Sequence, residues 1–298
     1  MAMIVVPQTF AADTVAREGE NGRFWIRSLP HLVESLCVQW GLVIDGVPMH
    51  GYFGLVVPVR RGDKLCVLKV SWITPEVQDE VAALLAWQGQ GAVQVLAHEP
   101  KAGAMLLERL DFRRLLRDEP IDEAVVVAGQ LLRRLAIPAG GGFRRLREVA
   151  PVMGDSLAAR WVANGRPFAR VVLEKAHYLA GELAGQTADL LVNWDIHYEN
   201  ILAGEREPWL VVDPKVVIGD PEYGLAQLLF TRLEAMQASR GLAHYFRRLV
   251  AAAQLDEELA RAWTLVRCVD YWLWALRMGF TEDPQRCEVI VDWLGQGV

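Results

Sequence analysis

The first third of the chain alternates more than it winds. Tyr52–Arg60 is apolar and valine-rich, Arg61-Gly62-Asp63-Lys64 reads as a turn, and Leu65–Val70 reads as a second strand, so the pair predicts a β-hairpin. The Arg-Gly-Asp triplet belongs to that turn and is not read as an adhesion motif. Upstream, residues 1–40 read as an extended segment followed by a helix around Pro30–Trp40. Downstream, Thr74 is a good N-cap and Pro75 fits the first helical position. Val77, Val81, Leu84 and Leu85 then fall at i, i+4, i+7 and i+8 of a helix. Ala104–Leu110 adds one more strand. After Asp111 the period becomes helical, over Glu123–Leu135, Ala169–Leu183, Ala226–Met236 and two stretches from His244 onward, with Ala139–Phe143 as a Gly-rich loop. Strands first and helices afterwards predict an α+β chain of two lobes, residues 1–110 and 111–298, with a hinge near Glu108–Phe112.

Composition narrows the function more than the fold. A formal charge of −6 argues against a nucleic-acid binder, which would carry a basic face. No apolar run approaches the roughly 18 residues needed to span a bilayer. Met1–Phe10 lacks the basic start and long apolar core of a signal peptide. These readings lead us to expect a soluble, cytoplasmic protein. Cys37, Cys66, Cys268 and Cys287 show neither CxxC pairing nor zinc-ligand spacing, so neither a disulfide nor a zinc site is expected.

The chemistry concentrates in Leu190–Lys215, LLVNWDIHYENILAGEREPWLVVDPK. Two short strands, Ile201–Ala203 and Trp209–Val212, flank a Gly-Glu-Arg-Glu-Pro turn. Closing that hairpin pairs Leu202 with about Leu210 and brings Asn200 alongside Asp213, with Asp195 five residues before Asn200. Two oxygen donors and a third carboxylate meet at one hairpin mouth. Magnesium takes oxygen ligands, and phosphoryl transfer needs a carboxylate to orient the attacking hydroxyl. The Asp195–Asn200 spacing also matches the catalytic loop of protein kinases, with Asp213 where their metal-binding aspartate would stand. A polar turn capping a hairpin would account for the same short pattern.

The first lobe favours the chemical reading. Lys69 sits in an otherwise apolar strand, and Glu80 lies on the inward side of the Thr74 helix, three residues after Val77 and four before Leu84. Pairing them resolves two awkward charges and reproduces the lysine–glutamate pair with which kinases hold the α- and β-phosphates of ATP. His50-Gly51-Tyr52-Phe53-Gly54 has two glycines where a phosphate-covering loop would lie, short of the fuller G-x-G-x-x-G pattern. Glu108-Arg109-Leu110 would be the hinge, with backbone groups of Glu108 and Leu110 offered to adenine.

The string NWDIHYENILAGEREPWLVVDPKVVIGDPEYGLAQLL closely resembles the core of the aminoglycoside/hydroxyurea antibiotic-resistance kinases, streptomycin 6-phosphotransferases in particular. Looser matches run along most of the chain, among them GRFWIRSLPHLVESLCVQWGL, LVVPVRR, VLKV, GAVQVLAHE, AMLLERL and WTLVR. The resemblance implies a protein-kinase-like fold with a β-rich N-lobe and a helical C-lobe. It implies ATP and Mg2+ as cofactors, Asp195 as catalytic base, Asn200 and Asp213 as metal ligands, and Lys69 and Glu80 as the phosphate-positioning pair. His197 would lie close to the transferred phosphate, or else be a loop histidine bonded to backbone. Two positions depart from the pattern. Asn193 replaces a histidine usual before the base, and Gly224 replaces a common aspartate, a change expected to loosen support of the catalytic loop.

The substrate is less legible. Trp263–Met278 puts Asp270 and Trp274 on one helical face, able to contact a sugar or a guanidinium group, and aromatic residues filling the core fit equally well. The leading expectation is a kinase for a small aminoglycoside-like molecule, streptomycin at its 6-hydroxyl, working as a monomer or weak homodimer with no nucleic-acid or membrane partner. A kinase for hydroxyurea or another small hydroxyl compound is the first alternative, and a nucleotide-binding pseudokinase the second.

Overall fold

The computed structural model describes residues 4–296, and the start of the Met1–Phe10 run lies outside them. The chain forms two compact units, which divide between Asp111 and Phe112.

The first unit opens with α1 (Gln8–Trp40), 33 residues long and broken at Gly19, whose φ of 63° and ψ of −139° leave the helical region. The expected extended start is therefore helical. Its buried positions include Thr14 and Gly22, so no apolar stripe marks them in the sequence. The strands β1 (Val43–Ile44), β2 (Met49–His50), β3 (Gly54–Arg61) and β4 (Lys64–Ser71) follow, and then α2 (Pro75–Trp87), β5 (Val95–Glu99) and β6 (Ala104–Glu108). They build a sheet in the order β1-β3-β4-β6-β5, with β2 added against β3. The predicted hairpin forms with Arg61 opposite Lys64. Alternation along β4 decides what each face does. Cys66, Leu68 and Val70 are fully buried against Leu29, Val33, Leu36 and Cys37 of α1, whereas Val67 and Lys69 are half-buried on the other face.

The Thr74 hydroxyl caps α2 by accepting from the Val77 N–H at 3.3 Å. The buried face of α2 is Val77, Glu80, Ala83, Leu84 and Trp87; Leu85, expected inward, is exposed.

The second unit opens within β7 (Asp111–Leu115), whose first residue lies at the boundary, and continues with α3 (Ile121–Leu135), β8 (Ile137–Pro138), α4 (Leu146–Ala163) and α5 (Arg170–Ala184). Next come β9 (Leu190–Asn193), β10 (Ile201–Ala203), β11 (Trp209–Val211) and β12 (Val216–Gly219), and finally α6 (Leu225–Phe230), α7 (Leu233–Ala238), α8 (Leu242–Ala253), α9 (Glu257–Arg277) and α10 (Glu282–Gly295). Ala226–Met236, expected as one helix, is two, and three helices follow where two stretches were expected. Beneath the predicted catalytic segment, Val192 of β9 and Val217 of β12 pack with Leu146 and Ala150 of α4, Ala180 of α5, and Trp263 and Val266 of α9. This core fixes β9 and β12, and with them the loops that leave their ends. No helix among the described residues is long and apolar enough to cross a membrane.

Candidate active site

In the first unit the Lys69 ammonium lies 2.6 Å from the Glu80 carboxylate, with side chains 13% and 5% exposed. The strand supplies the lysine from its half-buried face, and the helix supplies the glutamate from its buried one. Gly54 stands opposite Ser71 in the β3–β4 ladder. A Cβ there would come within 2.6 Å of the Ser71 hydroxyl and would touch the Lys69 Cε at 3.4 Å, so the Ser71 hydroxyl takes the space a larger residue would need. Gly51 has nothing within 4 Å of such a Cβ, and its N–H donates to the Gly54 carbonyl at 2.9 Å.

Two groups that hold this loop were not read from the sequence. The Arg17 guanidinium lies over the rings of Tyr52 and Phe53, at 4.7 and 4.8 Å, and donates to the Tyr52 carbonyl. Thr9 hydrogen-bonds His50 at 3.1 Å. Both come from the part of α1 expected to be extended. At the predicted hinge, the Glu108 N–H donates to the Gln94 carbonyl at 3.0 Å and the Glu108 carboxylate accepts from the Gln94 N–H at 2.8 Å. That N–H is thereby engaged with Gln94 within the first unit. Arg109, between Glu108 and the buried Leu110, anchors the hinge by donating to the carbonyls of Cys66 and Val59 and to Asp45. The Arg109 hydrogen bond holds the Asp45 carboxyl below its ordinary value.

In the second unit the hairpin closes as predicted, with Leu202 opposite Leu210. The Val212 N–H donates to the Asn200 carbonyl at 2.9 Å, which sets Asn200 next to the segment carrying Asp213. Asp213 is exposed and takes φ of 51°, unusual for a residue other than glycine. Asn200, half-buried, ends a single 3-10 turn, Tyr198–Asn200. Two side-chain oxygen donors, with the remaining positions left to phosphate and water, suit magnesium.

Asp195 lies in the loop after β9. Its N–H donates to the Asn193 side-chain oxygen at 3.1 Å, so Asn193 shapes the turn that presents the carboxylate. Both carboxylate oxygens are engaged: Gln227 donates to Oδ1, and Lys215 lies 2.6 Å from Oδ2. The Gly224 position is filled by its neighbours, since a Cβ would sit 2.6 Å from the Asn193 carbonyl oxygen. β9 packs directly on Gly224, and Gln227, three residues on, donates to Asp195.

Burial pushes the His197 imidazole below its ordinary value, against the opposing pull of Asp195, Glu199 and Asp213. Its Nδ1 is buried without a partner among the described residues, as are the Asn193 Nδ2, Tyr198 hydroxyl and Gln227 Oε1. The expected alternative of a histidine bonded to backbone through that nitrogen is not seen. Asn193 and Gln227 also bond Asp195, and unsatisfied polar atoms beside a carboxylate are characteristic of a site completed by water or ligand.

Asp270, expected as a substrate contact, has charge partners of its own within the second unit. Arg160 of α4 lies 2.6 Å from it and Arg267 of α9 3.7 Å, so its charge is already matched within the protein. Arg267 is itself packed between Trp194 and Tyr223, with its guanidinium 4.7 and 4.9 Å from the ring centroids. Trp274 is 37% exposed and stacks on Tyr271, which stacks on Phe230. Lys215, Gln227, Arg160 and Arg267 were not singled out in the sequence. Lys215 and Gln227 lie in the quoted family string and Arg267 ends the quoted WTLVR match, whereas Arg160 lies in none of the quoted segments.

A β-sheet unit carrying a strand lysine and helix glutamate, followed by a helical unit with an Asp–Asn–Asp loop set, defines a kinase-like phosphotransferase fold. The fold matches the crystal structure of a thermostable mutant of the aminoglycoside phosphotransferase APH(4)-Ia in ternary complex with ADP and hygromycin B, with a TM-score of 0.60 at 20% identity, covering 89% of this chain and 99% of that one. Residues 39–279 match the model of the aminoglycoside/hydroxyurea antibiotic resistance kinases, and the chain belongs to that family. It is 36% identical over 284 residues to a streptomycin 6-kinase of Streptomyces glaucescens, covering 93% of this chain and 92% of the relative. It is 37% identical over 292 residues to a hydroxyurea phosphotransferase of Kitasatospora aureofaciens, covering 96% and 84%.

Proposed function

We propose that this protein transfers the γ-phosphoryl group of ATP to the 6-hydroxyl of streptomycin, with magnesium, and thereby confers resistance to it. What supports the reading is the hairpin that sets Asn200 next to the segment of Asp213 and Lys215, with Lys215 paired to Asp195, in a chain alignable over nine-tenths of its length with a streptomycin 6-kinase.

Asp195 orients the acceptor hydroxyl and takes its proton as that oxygen bonds to the γ-phosphorus; the bond from phosphorus to the bridging oxygen breaks, and ADP leaves with that electron pair. Asn200 and Asp213 would hold magnesium, which offsets the negative charge of the phosphates. Lys69, kept in place by Glu80, binds the α- and β-phosphates, and His197 lies near the transferred group in its neutral form. Glu108 and Leu110 offer backbone groups to adenine at the hinge, with the Glu108 N–H itself committed to Gln94. On the substrate side, the exposed face of Trp274 offers a surface for a planar guanidinium. The protein works as a cytoplasmic monomer or weak homodimer and requires neither nucleic acid nor membrane.

Magnesium-dependent ADP release, measured with streptomycin, hydroxyurea and a panel of aminoglycosides and sugars beside Asp195→Ala, tests the reading. Streptomycin-stimulated turnover that falls about 10²- to 10⁴-fold in the variant is expected. Unchanged turnover in Asp195→Ala refutes the mechanism, and stimulation by hydroxyurea alone moves the substrate to the second relative's chemistry.

A further inference from the structure

The most informative group outside the predicted site is Lys215. The β9–β12 register pairs Val216 with Asn193, and one step further the Trp194 N–H donates to the Lys215 carbonyl at 2.9 Å. Residues directly opposite in an antiparallel ladder present their side chains on one face. The Lys215 ammonium accordingly lies 5.4 Å from the Trp194 ring centroid and reaches the carboxylate of the next residue, Asp195. One short segment, Asp213-Pro214-Lys215, thus delivers both a predicted metal ligand and a cation to the predicted base.

The two partners of Asp195 are not equivalent. Gln227 is neutral, buried and fixed in α6, at 7% exposure. Lys215 is 36% exposed and carries three donors at the end of a flexible stem. Phosphoryl transfer brings an anionic group up to the hydroxyl that Asp195 holds, and two anions so placed repel one another unless a cation lies with them. Arg267 is a second cation near Asp195, but its packing between Trp194 and Tyr223 holds it in place.

We propose that Lys215 bridges Asp195 and the γ-phosphoryl group, holding the carboxylate in position and neutralising the phosphoryl oxygens during transfer. This rests on the reading of Asp195 as the base. Lys215 stays protonated throughout; the hydroxyl proton goes to Asp195 and the leaving electron pair to ADP.

The test uses the full chain and its Lys215→Met, Lys215→Arg and Asp195→Asn variants. Dissociation constants for magnesium–ADP and magnesium–AMP-PNP are measured by calorimetry, and kcat and KM with ATP and streptomycin. Lys215→Met should weaken AMP-PNP by about tenfold, the equivalent of one charge-assisted hydrogen bond, while ADP stays within about twofold. Its kcat should fall about a hundredfold with the KM for streptomycin little changed, and Lys215→Arg should recover most of both losses. Equal effects on ADP and AMP-PNP, or a kcat near wild type, overturn the proposal. An inactive Asp195→Asn beside an unaffected Lys215→Met removes the bridge and leaves the base reading standing. A fully active Asp195→Asn removes the base reading and this proposal with it. If Lys215→Met does not fold, Lys215→Gln takes its place in the same comparison, with loss expected for Gln and retention for Arg.

Discussion

Replacing Gly224 by alanine adds one methyl group where β9 already fills the space. The added Cβ would lie 2.6 Å from the Asn193 carbonyl oxygen and 2.8 Å from the Leu132 Cδ1, well inside the roughly 3.5–4.0 Å of a comfortable contact. Leu132 can turn aside, but the Asn193 carbonyl belongs to the backbone of a strand paired with β12 and can retreat only by disturbing that ladder. Overpacking of this kind costs about 1–3 kcal/mol. Gly224 has φ of −79° and ψ of −11°, which alanine adopts freely, so about 0.4–1 kcal/mol returns through a less flexible unfolded chain. The net loss is roughly 1–2 kcal/mol, a fall in Tm of about 2–8 °C for a unit of this size. Asn193 lies two residues before Asp195 and bonds its N–H, so the displacement reaches the carboxylate. A misplacement of about 1 Å can reduce turnover a hundredfold, and kcat should fall about 10- to 100-fold with KM for ATP little changed. Thermal melts and ADP release measure both. Gly181→Ala in α5, where nothing lies within 4 Å, is the control and should stabilise by about 0.5–1 kcal/mol. A Gly224→Ala protein with wild-type Tm and kcat would refute the reasoning.

Other perturbations give equally definite expectations. Glu80→Gln removes the charge that holds Lys69 and should raise the KM for ATP about tenfold or more in steady-state assays, with little effect on the KM for the acceptor. Burial lowers the His197 pKa, so below its ordinary value of about 6.5 the unfolded chain binds the extra proton and stability falls with acidification. His197→Asn should therefore lose less Tm than wild type between pH 7 and pH 5.5, a difference bounded by about 1.4 kcal/mol per pH unit and read by pH-resolved melts. Asp270→Asn leaves Arg160 and the buried Arg267 short of a charge, so reduced Tm and reduced kcat are expected together. A change confined to the KM for streptomycin would instead restore Asp270 as a substrate contact.

Much of the site was legible because its residues lie close in sequence or in positions that periodicity exposes. Asp195, Asn200 and Asp213 are fixed by a hairpin whose register can be counted. Lys69 and Glu80 stand out as charges on apolar frames. What stayed hidden depends on contacts across long separations. Gln227 meets Asp195 from 32 residues away and Arg160 meets Asp270 from 110, and neither distance leaves a trace in local pattern. The N-terminal half of α1 was invisible for a different reason. Its buried face contains Thr14 and Gly22, so the helix lacks the stripe that identifies helices, and the glycine at its break argues against one. Leu85 erred the other way, since an apolar residue at helical spacing is inward only if a partner lies opposite.

The two departures from the family pattern explain one another. Asn193 offers a side-chain oxygen to the Asp195 N–H, and its own carbonyl packs where a side chain on residue 224 would have to stand. An aspartate at 224 would collide with the strand that carries Asn193. With glycine there the Asn193 carbonyl occupies that space, and Gln227 of the following helix donates to Asp195 Oδ1. A neutral amide is also the better neighbour in this position: another carboxylate beside Asp195 would add like charge to the group that must receive a proton, whereas Gln227 donates to it. Gln227, three residues beyond Gly224, is thus the side chain that supports the predicted base in this chain.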